Sequence, residues 1–187
     1  DTAPWIIQDK FDDTSRILVV SQSHTAVDNI IEGLVDIDEG KLDIIRIGRA
    51  ENISPKVEET CTMNAIRKKM FTEIKEKSDT YIEHQNLLYA NITEQKALDR
   101  WERIKDIQKD WINRCSNLET LDYQVVKSAT IIAGTCVGFL SNDFVKELDF
   151  DYVIIDEAAK ATTPELLVSI IKSKKIILVG DQNQLPA

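Results

Sequence analysis

The sequence predicts an α/β protein, a parallel sheet with helices on both faces, interrupted by a long antiparallel helical hairpin. Two observations carry that expectation. Short runs rich in Val and Ile recur in the outer thirds of the chain, and they are near-continuous rather than alternating, the mark of strands covered on both faces. Glycine and proline punctuate both ends, yet neither occurs between Lys56 and Ala133, so that middle stretch is expected to be helical.

The elements follow in order. Strands are expected at Ile17 to Val20, Ile44 to Ile47, Thr130 to Ala133, Tyr152 to Ile155 and Ile176 to Val179, the last as another buried strand. Between the first two, Ala26, Val27, Ile30, Ile31 and Leu34 repeat at helical spacing, which predicts a helix over 25–35. A second helix opens near Pro164 with Thr163 as its N-cap. Strand, helix and strand repeated in this way imply a doubly wound layer. In the middle, apolar residues step by three and four from Ile66 through Met70, Ile74, Tyr81 and Leu88, then from Leu98 through Trp101, Ile104, Ile107 and Trp111 to Leu121. The spacing is close to a heptad seam, predicting two long helices in a coiled-coil-like hairpin whose turn lies between Ser78 and Asn91. The expected organisation is therefore 1–55 and 125–187 as two parts of one domain, with 56–124 as the inserted hairpin.

With 187 residues, 43% hydrophobic and 29% charged, the chain has the composition of a globular protein rather than a disordered one. No apolar run reaches the roughly 20 residues a bilayer demands, so no membrane role is expected. Cys61, Cys115 and Cys136 stand singly, without the spacing of a zinc site or a disulfide framework, and a reducing, cytoplasmic setting is the default, with the nucleus left open. The formal net charge of −9 argues against nucleic-acid binding by bulk charge, because phosphate contacts need a local cationic surface. Arg46, Arg49, Lys56 and Lys160 are the candidates for local positive charge, each otherwise read as solvated surface.

Three segments carry chemistry. In Tyr152-Val153-Ile154-Ile155-Asp156-Glu157, an apolar strand delivers two adjacent carboxylates to the edge of a parallel sheet, where such folds bind ligands. One acid suits a Mg²⁺ ion and the next a water beside it, although acids capping the following helix would look similar. In Ile176-Ile177-Leu178-Val179-Gly180-Asp181-Gln182-Asn183-Gln184, a second strand ends in a tight turn with a carboxylate and amides: Gln184 suits a terminal phosphate or its attacking water, and Asp181 the metal shell. After the first strand, Ser21-Gln22-Ser23-His24-Thr25 leads into a helix whose free amides suit a phosphate, although taken alone the segment reads sooner as a plain hydroxyl cap. Thr135, in Gly134-Thr135-Cys136-Val137-Gly138, has the same double reading as a turn residue.

In this order the segments resemble the first RecA-like domain of superfamily 1 helicases, particularly the group of senataxin and the nonsense-mediated-decay helicase. Ser23 to Asn29 resembles motif Ia, Thr135 to Gly138 the Thr-Cys motif, Asp156-Glu157-Ala158 motif II, and Gly180 to Pro186 motif III. The hairpin resembles the family's variable stalk insertion only in position and character. The resemblance implies ATP hydrolysis coupled to movement on single-stranded DNA or RNA. It implies that Asp156 serves Mg²⁺, that Glu157 is the catalytic base, and that Gln184 senses the γ-phosphate. Ser23, His24 and Thr135 would touch the strand's backbone, with Val27 and Asp28 holding the motif's helix. A narrow track of amides and hydroxyls would answer the acidity objection. The chain departs from the pattern at Lys160 and Thr163, where Gln and Glu are usual, and at Ala187, where a second proline is common.

A Gly-x-x-x-x-Gly-Lys-Ser/Thr loop does not occur in this sequence. It is expected just before Asp1, and a second RecA-like domain after Ala187, so the chain alone is expected to be inert while its parent is an ATP-dependent helicase. Two alternatives stand beside this: a P-loop ATPase that remodels nucleoprotein complexes without unwinding, and a non-catalytic module whose helical arm binds a protein partner.

Overall fold

The computed structural model of the protein describes residues 15–38, 42–115 and 119–181. Strand β1 (Ile17–Ser21) is followed by helix α1 (His24–Asp38), β2 (Ile44–Arg46), α2 (Pro55–Cys61), the long helices α3 (Met63–Tyr89) and α4 (Gln95–Cys115), and α5 (Glu119–Ser128). Then come β3 (Ile131–Thr135), a short α6 (Asp143–Lys146), β4 (Phe150–Asp156), α7 (Thr163–Ile170) and β5 (Ser173–Leu178). The chain divides into two compact units, residues 1–65 with 124–187, and residues 66–123.

In the first unit the strands form one sheet in the order β2-β3-β1-β4-β5, every neighbouring pair parallel. This is the mixed α/β architecture the apolar runs predict. On one face, Val27, Ile30, Ile31 and Leu34 of α1, at i, i+3, i+4 and i+7, pack on Ile17, Val19, Ile44, Ile131, Ala133 and Ile154. Each such side chain removed from water contributes about 2 kcal/mol. The alternate residues Leu18, Val20, Ile132, Val153 and Ile155 are buried as well, so the central strands are covered on both faces. That is why their sequences are continuous rather than alternating.

Two details depart from expectation. The strand expected to be buried at 176–179 is β5, at one edge of the sheet, and Ile176 and Leu178 are exposed. Only the β4 side of β5 is paired among the described residues, so its apolar run reports strand propensity without two-sided cover. The N-cap of α7 is Thr162 rather than Thr163, because the carboxylate of Glu165 reaches back to accept from both the Thr162 amide (2.8 Å) and its hydroxyl (2.7 Å).

The second unit is an antiparallel helix pair. Asn86 on α3 accepts from the Trp101 indole N–H (2.9 Å), and Gln108 on α4 donates to the Ser78 carbonyl (3.1 Å), so contacts that climb α4 descend α3. Tyr89 stacks on Trp101 with ring centroids 5.2 Å apart. Arg67 of α3 pairs with Asp122 of α5 at 3.3 Å. The chain reverses at 90–94, past most of the expected window, because α3 continues helically through Ser78 to Tyr89. Of the expected seam, Trp101 is 4% exposed, whereas Ile107 and Trp111 are 68% and 52% exposed. No helix among the described residues is long and apolar enough to cross a membrane.

Candidate functional site

Parallel strands bring all their carboxyl ends to one edge of the sheet, and register decides what stands there. Ser21 of β1 pairs with Thr135 of β3 on one side and with Asp156 of β4 on the other, so the three residues share a row. The next residues of each strand turn into polar loops, the arrangement by which open α/β sheets form ligand crevices.

The ends of β4 and β5 are tied together. The Val179 amide donates to the Ile155 carbonyl (2.8 Å), and the Ala158 amide donates to the Val179 carbonyl (3.0 Å). Gly180 permits this closeness, since a Cβ there would stand 3.3 Å from the Ala158 nitrogen. Between the two loops opens a cleft of about 230 Å³, lined by Asp156, Glu157, Lys160, Gly180 and Asp181, with Asn29 of α1 in its wall. The structure therefore brings Asp156, Glu157 and Asp181 together. Gln184, the amide expected at the same edge, lies outside the described residues.

Glu157 has φ of 50°, the left-handed region, which costs a side-chain-bearing residue of order 1–3 kcal/mol. That strain turns the chain sharply just where the carboxylate meets the cleft. Its oxygen is held by the Lys160 ammonium at 2.7 Å, both side chains about one-third exposed. Lys160, read from sequence as solvated surface, is thus a cleft residue paired with Glu157. Burial pushes the Asp156 carboxyl above its ordinary value, and the neighbouring Glu157 charge adds to this against a backbone hydrogen bond at Glu157 that lowers it. A cation beside Asp156 would relieve that cost.

Among the described residues no three His, Cys, Asp or Glu side chains converge as a ready-made metal cage. Mg²⁺ does not need one, because it is commonly bound through one or two carboxylates together with substrate phosphates and waters. A half-buried carboxylate with a raised pKa, opening into a cleft where acids outnumber the ammonium, fits that mode.

The β1 and β3 loops hold the other expected residues. The Ser23 hydroxyl oxygen caps α1 by accepting from the Ala26 amide (3.1 Å), and Thr135 accepts from the Gly138 amide (3.1 Å). A Cβ on Gly138 would lie 2.2 Å from the Thr135 hydroxyl oxygen, so this turn requires glycine. Both hydroxyls act as structural caps, and each still has an O–H to donate. Burial, with the Glu165 charge adding, pushes the thiol of Cys136, next to Thr135, up to about 11.

Sequence reasoning missed Arg46. It was read as solvated surface, and its side chain is wholly buried, its Nε donating to the Asp28 carboxylate at 2.7 Å. A signal was present: in Ile44-Ile45-Arg46-Ile47 the charge sits inside a run read as covered on both faces, where an arginine must be paired. Arg49 and Lys56 are at the surface, the latter paired with Asp36.

The sequence profile of a family described as "AAA domain" matches residues 6–187. A Methanocaldococcus jannaschii ATP-dependent helicase is 25% identical over 97% of this chain and 32% of its own length. The Saccharomyces cerevisiae ATP-dependent helicase NAM7 is 29% identical over 91% of this chain and 15% of its own. The Gallus gallus DNA replication ATP-dependent helicase/nuclease DNA2 is 28% identical over 91% and 12%. The chain thus spans a third or less of the length of these relatives.

Proposed function

The chain belongs to the AAA domain family, among the superfamily 1 helicases, and on that premise we propose that it carries part of the ATP-hydrolysing and strand-gripping machinery of an ATP-dependent helicase or translocase. The observation that carries this reading is the cleft in which Asp156, Glu157 and Asp181 converge beside a glycine turn.

In it, Asp156 would hold Mg²⁺, directly or through water, with Asp181 orienting the surrounding shell. The ion would supply charge neutralisation for the phosphates of ATP. Glu157 orients the attacking water and takes its proton, and Gln184 links the terminal phosphate to the strand. Lys160 holds the Glu157 carboxylate in place until nucleotide enters. Single-stranded DNA or RNA runs over the β1 and β3 loops, where Ser23, His24 and Thr135 contact its phosphates. Because the sequence lacks a Gly-x-x-x-x-Gly-Lys-Ser/Thr loop, the 187-residue chain by itself turns over no ATP.

The test uses a protein in which this chain is joined to a phosphate-binding loop. Glu157→Gln is expected to lower strand-stimulated hydrolysis by about 10²–10⁴-fold while nucleotide still binds. Undiminished turnover would refute the assignment. An unwinding assay on the same protein separates a helicase from an ATPase that only remodels nucleoprotein complexes. The arm as a recruiting surface for a protein partner is a second reading, favoured by the exposure of Ile107 and Trp111. Deleting 66–121 would then abolish partner capture and spare hydrolysis.

A further inference from the structure

The buried arginine of β2 holds three groups at once, two of them on α1. Its Nε donates to Asp28 Oδ1 (2.7 Å), its Nη1 to the Ile47 carbonyl (2.5 Å), and its Nη2 lies 3.1 Å from Nδ1 of His24. The other oxygen of Asp28 accepts from the Ser54 amide (2.7 Å), and the Ser54 hydroxyl donates to Glu32 (2.7 Å). A guanidinium so placed has lost its water, and an apolar side chain would fill the space at less cost. What only arginine supplies here is a rigid fork of donors aimed in fixed directions. Gly48 makes room for it, since a Cβ at that position would stand 3.1 Å from Nη1.

The contact with His24 has a chemical consequence. Arginine has five N–H donors and no acceptor, so Nδ1 of the ring must accept, and the proton of the neutral imidazole resides on Nε2. Nε2 lies on the other edge of a half-exposed ring and has no partner among the described residues. His24 itself stands at the first turn of α1, at the carboxyl edge of the sheet.

We propose that Arg46 is a positioning residue that locks His24 in its Nε2–H form and presents that N–H, a neutral donor, to a phosphate of the bound strand. This rests on the strand-binding reading of the β1 loop and adds to it the residue that sets the loop's chemistry. A neutral donor gives the strand a hydrogen bond without displacing a counterion, so the His24 contact contributes affinity and leaves the salt dependence of binding alone.

The chain contains two histidines, and His84, exposed on α3, serves as an internal control. Nitrogen-15 NMR of the full chain at mildly alkaline pH reads the tautomers, and fluorescein-labelled oligo(dT) reads strand binding across a salt series. The expected result is a bare Nδ1 and protonated Nε2 at His24 alone, with only that N–H shifting when oligo(dT) is added. Arg46→Met frees both tautomers and weakens binding about two-fold, the cost of selecting one form of two. His24→Asn, whose amide reaches only the inner position, weakens it equally at every salt concentration with the slope unchanged. His24→Gln, whose amide nitrogen reaches the outer position, recovers most of the loss.

Should Arg46→Met fail to fold, the His24 pair and Gly48→Ala, which shifts the guanidinium by a few tenths of an ångström, decide the matter. A proton on Nδ1, a tautomer indifferent to Arg46→Met in a folded chain, or a salt slope that drops by about one in His24→Asn would overturn the proposal. Oligo(dT) bound with an affinity indifferent to His24 would overturn it while leaving strand binding intact. Oligo(dT) bound by no form at all, with the tautomer as expected, would overturn the strand reading and this inference with it.

Discussion

The sheet unit and the helical arm both carry regularly placed apolar residues and dispose of them in opposite ways. In the sheet, Leu18, Val19, Val20, Ile131 and Ile132 are at 0% exposure, and even a charged pair, Arg46 with Asp28, is buried with them. In the arm, Trp101 is buried against Tyr89 and Asn86 while Tyr81, Leu88, Ile107 and Trp111 face outward. The difference teaches what each kind of pattern fixes. A near-continuous run in a parallel sheet has neighbours on two sides and layers on two faces, so its burial follows from its own composition. A three-and-four spacing fixes only which face of a helix is apolar, and two helices bury no more of that face than they turn toward each other.

The comparison can be broken by removing what the sheet buries. Asp28→Ala strands the Arg46 charge in the interior and is expected to cost about 4 kcal/mol in urea unfolding of the chain, within the range for one partner of a buried ion pair. A loss below about 1 kcal/mol would mean that the pair is hydrated. Next in size is a matched pair of truncations. Ile132→Ala, in the covered core, is expected to cost about 3 kcal/mol, and Ile107→Ala, on the exposed face of the arm, less than about 0.5 kcal/mol. Equal losses would erase the contrast between the units.

The smallest effect concerns pH. The Asp151 carboxyl is held below its ordinary value first by its hydrogen bond to Lys174 (2.8 Å) and then by the Arg16 amide (3.0 Å). A carboxylate depressed in the folded state stabilises at neutral pH, and that contribution fades as the pH falls through the depressed value. Both side chains are substantially exposed, so Asp151→Asn is expected to cost no more than about 0.5 kcal/mol at neutral pH and nothing in acid. The same loss at both pH values would assign the effect to packing rather than charge.

Much of this was legible in the residues. The strands announce themselves as Val and Ile runs, and the site announces itself because Asp156 and Asp181 follow such runs where a parallel sheet must end them. The hydroxyls of Ser23 and Thr135 were legible as cap and turn residues, because a hydroxyl after a strand and before a helix or a glycine has a free amide within reach. Arg46 was hidden because charge type argues for exposure, and the partner that overrides the argument lies 18 residues away on another element. The Lys160 pairing with Glu157 was hidden for a different reason: it depends on the left-handed turn at Glu157, a conformation that nothing in a non-glycine residue foretells.

The central claim is that the carboxyl edge of β4 and β5 is the site for the metal and phosphates. Titration of the nitrogen-15-labelled chain with Mn²⁺ in place of Mg²⁺, read as paramagnetic loss of backbone amide signals, tests it most directly. Signals of Asp156, Glu157, Gly180 and Asp181 should fade first, Ile104 and Trp111 should persist, and Asp156→Asn should abolish the pattern. Fading that begins at the scattered carboxylates of the arm, or that survives Asp156→Asn unchanged, would contradict the account.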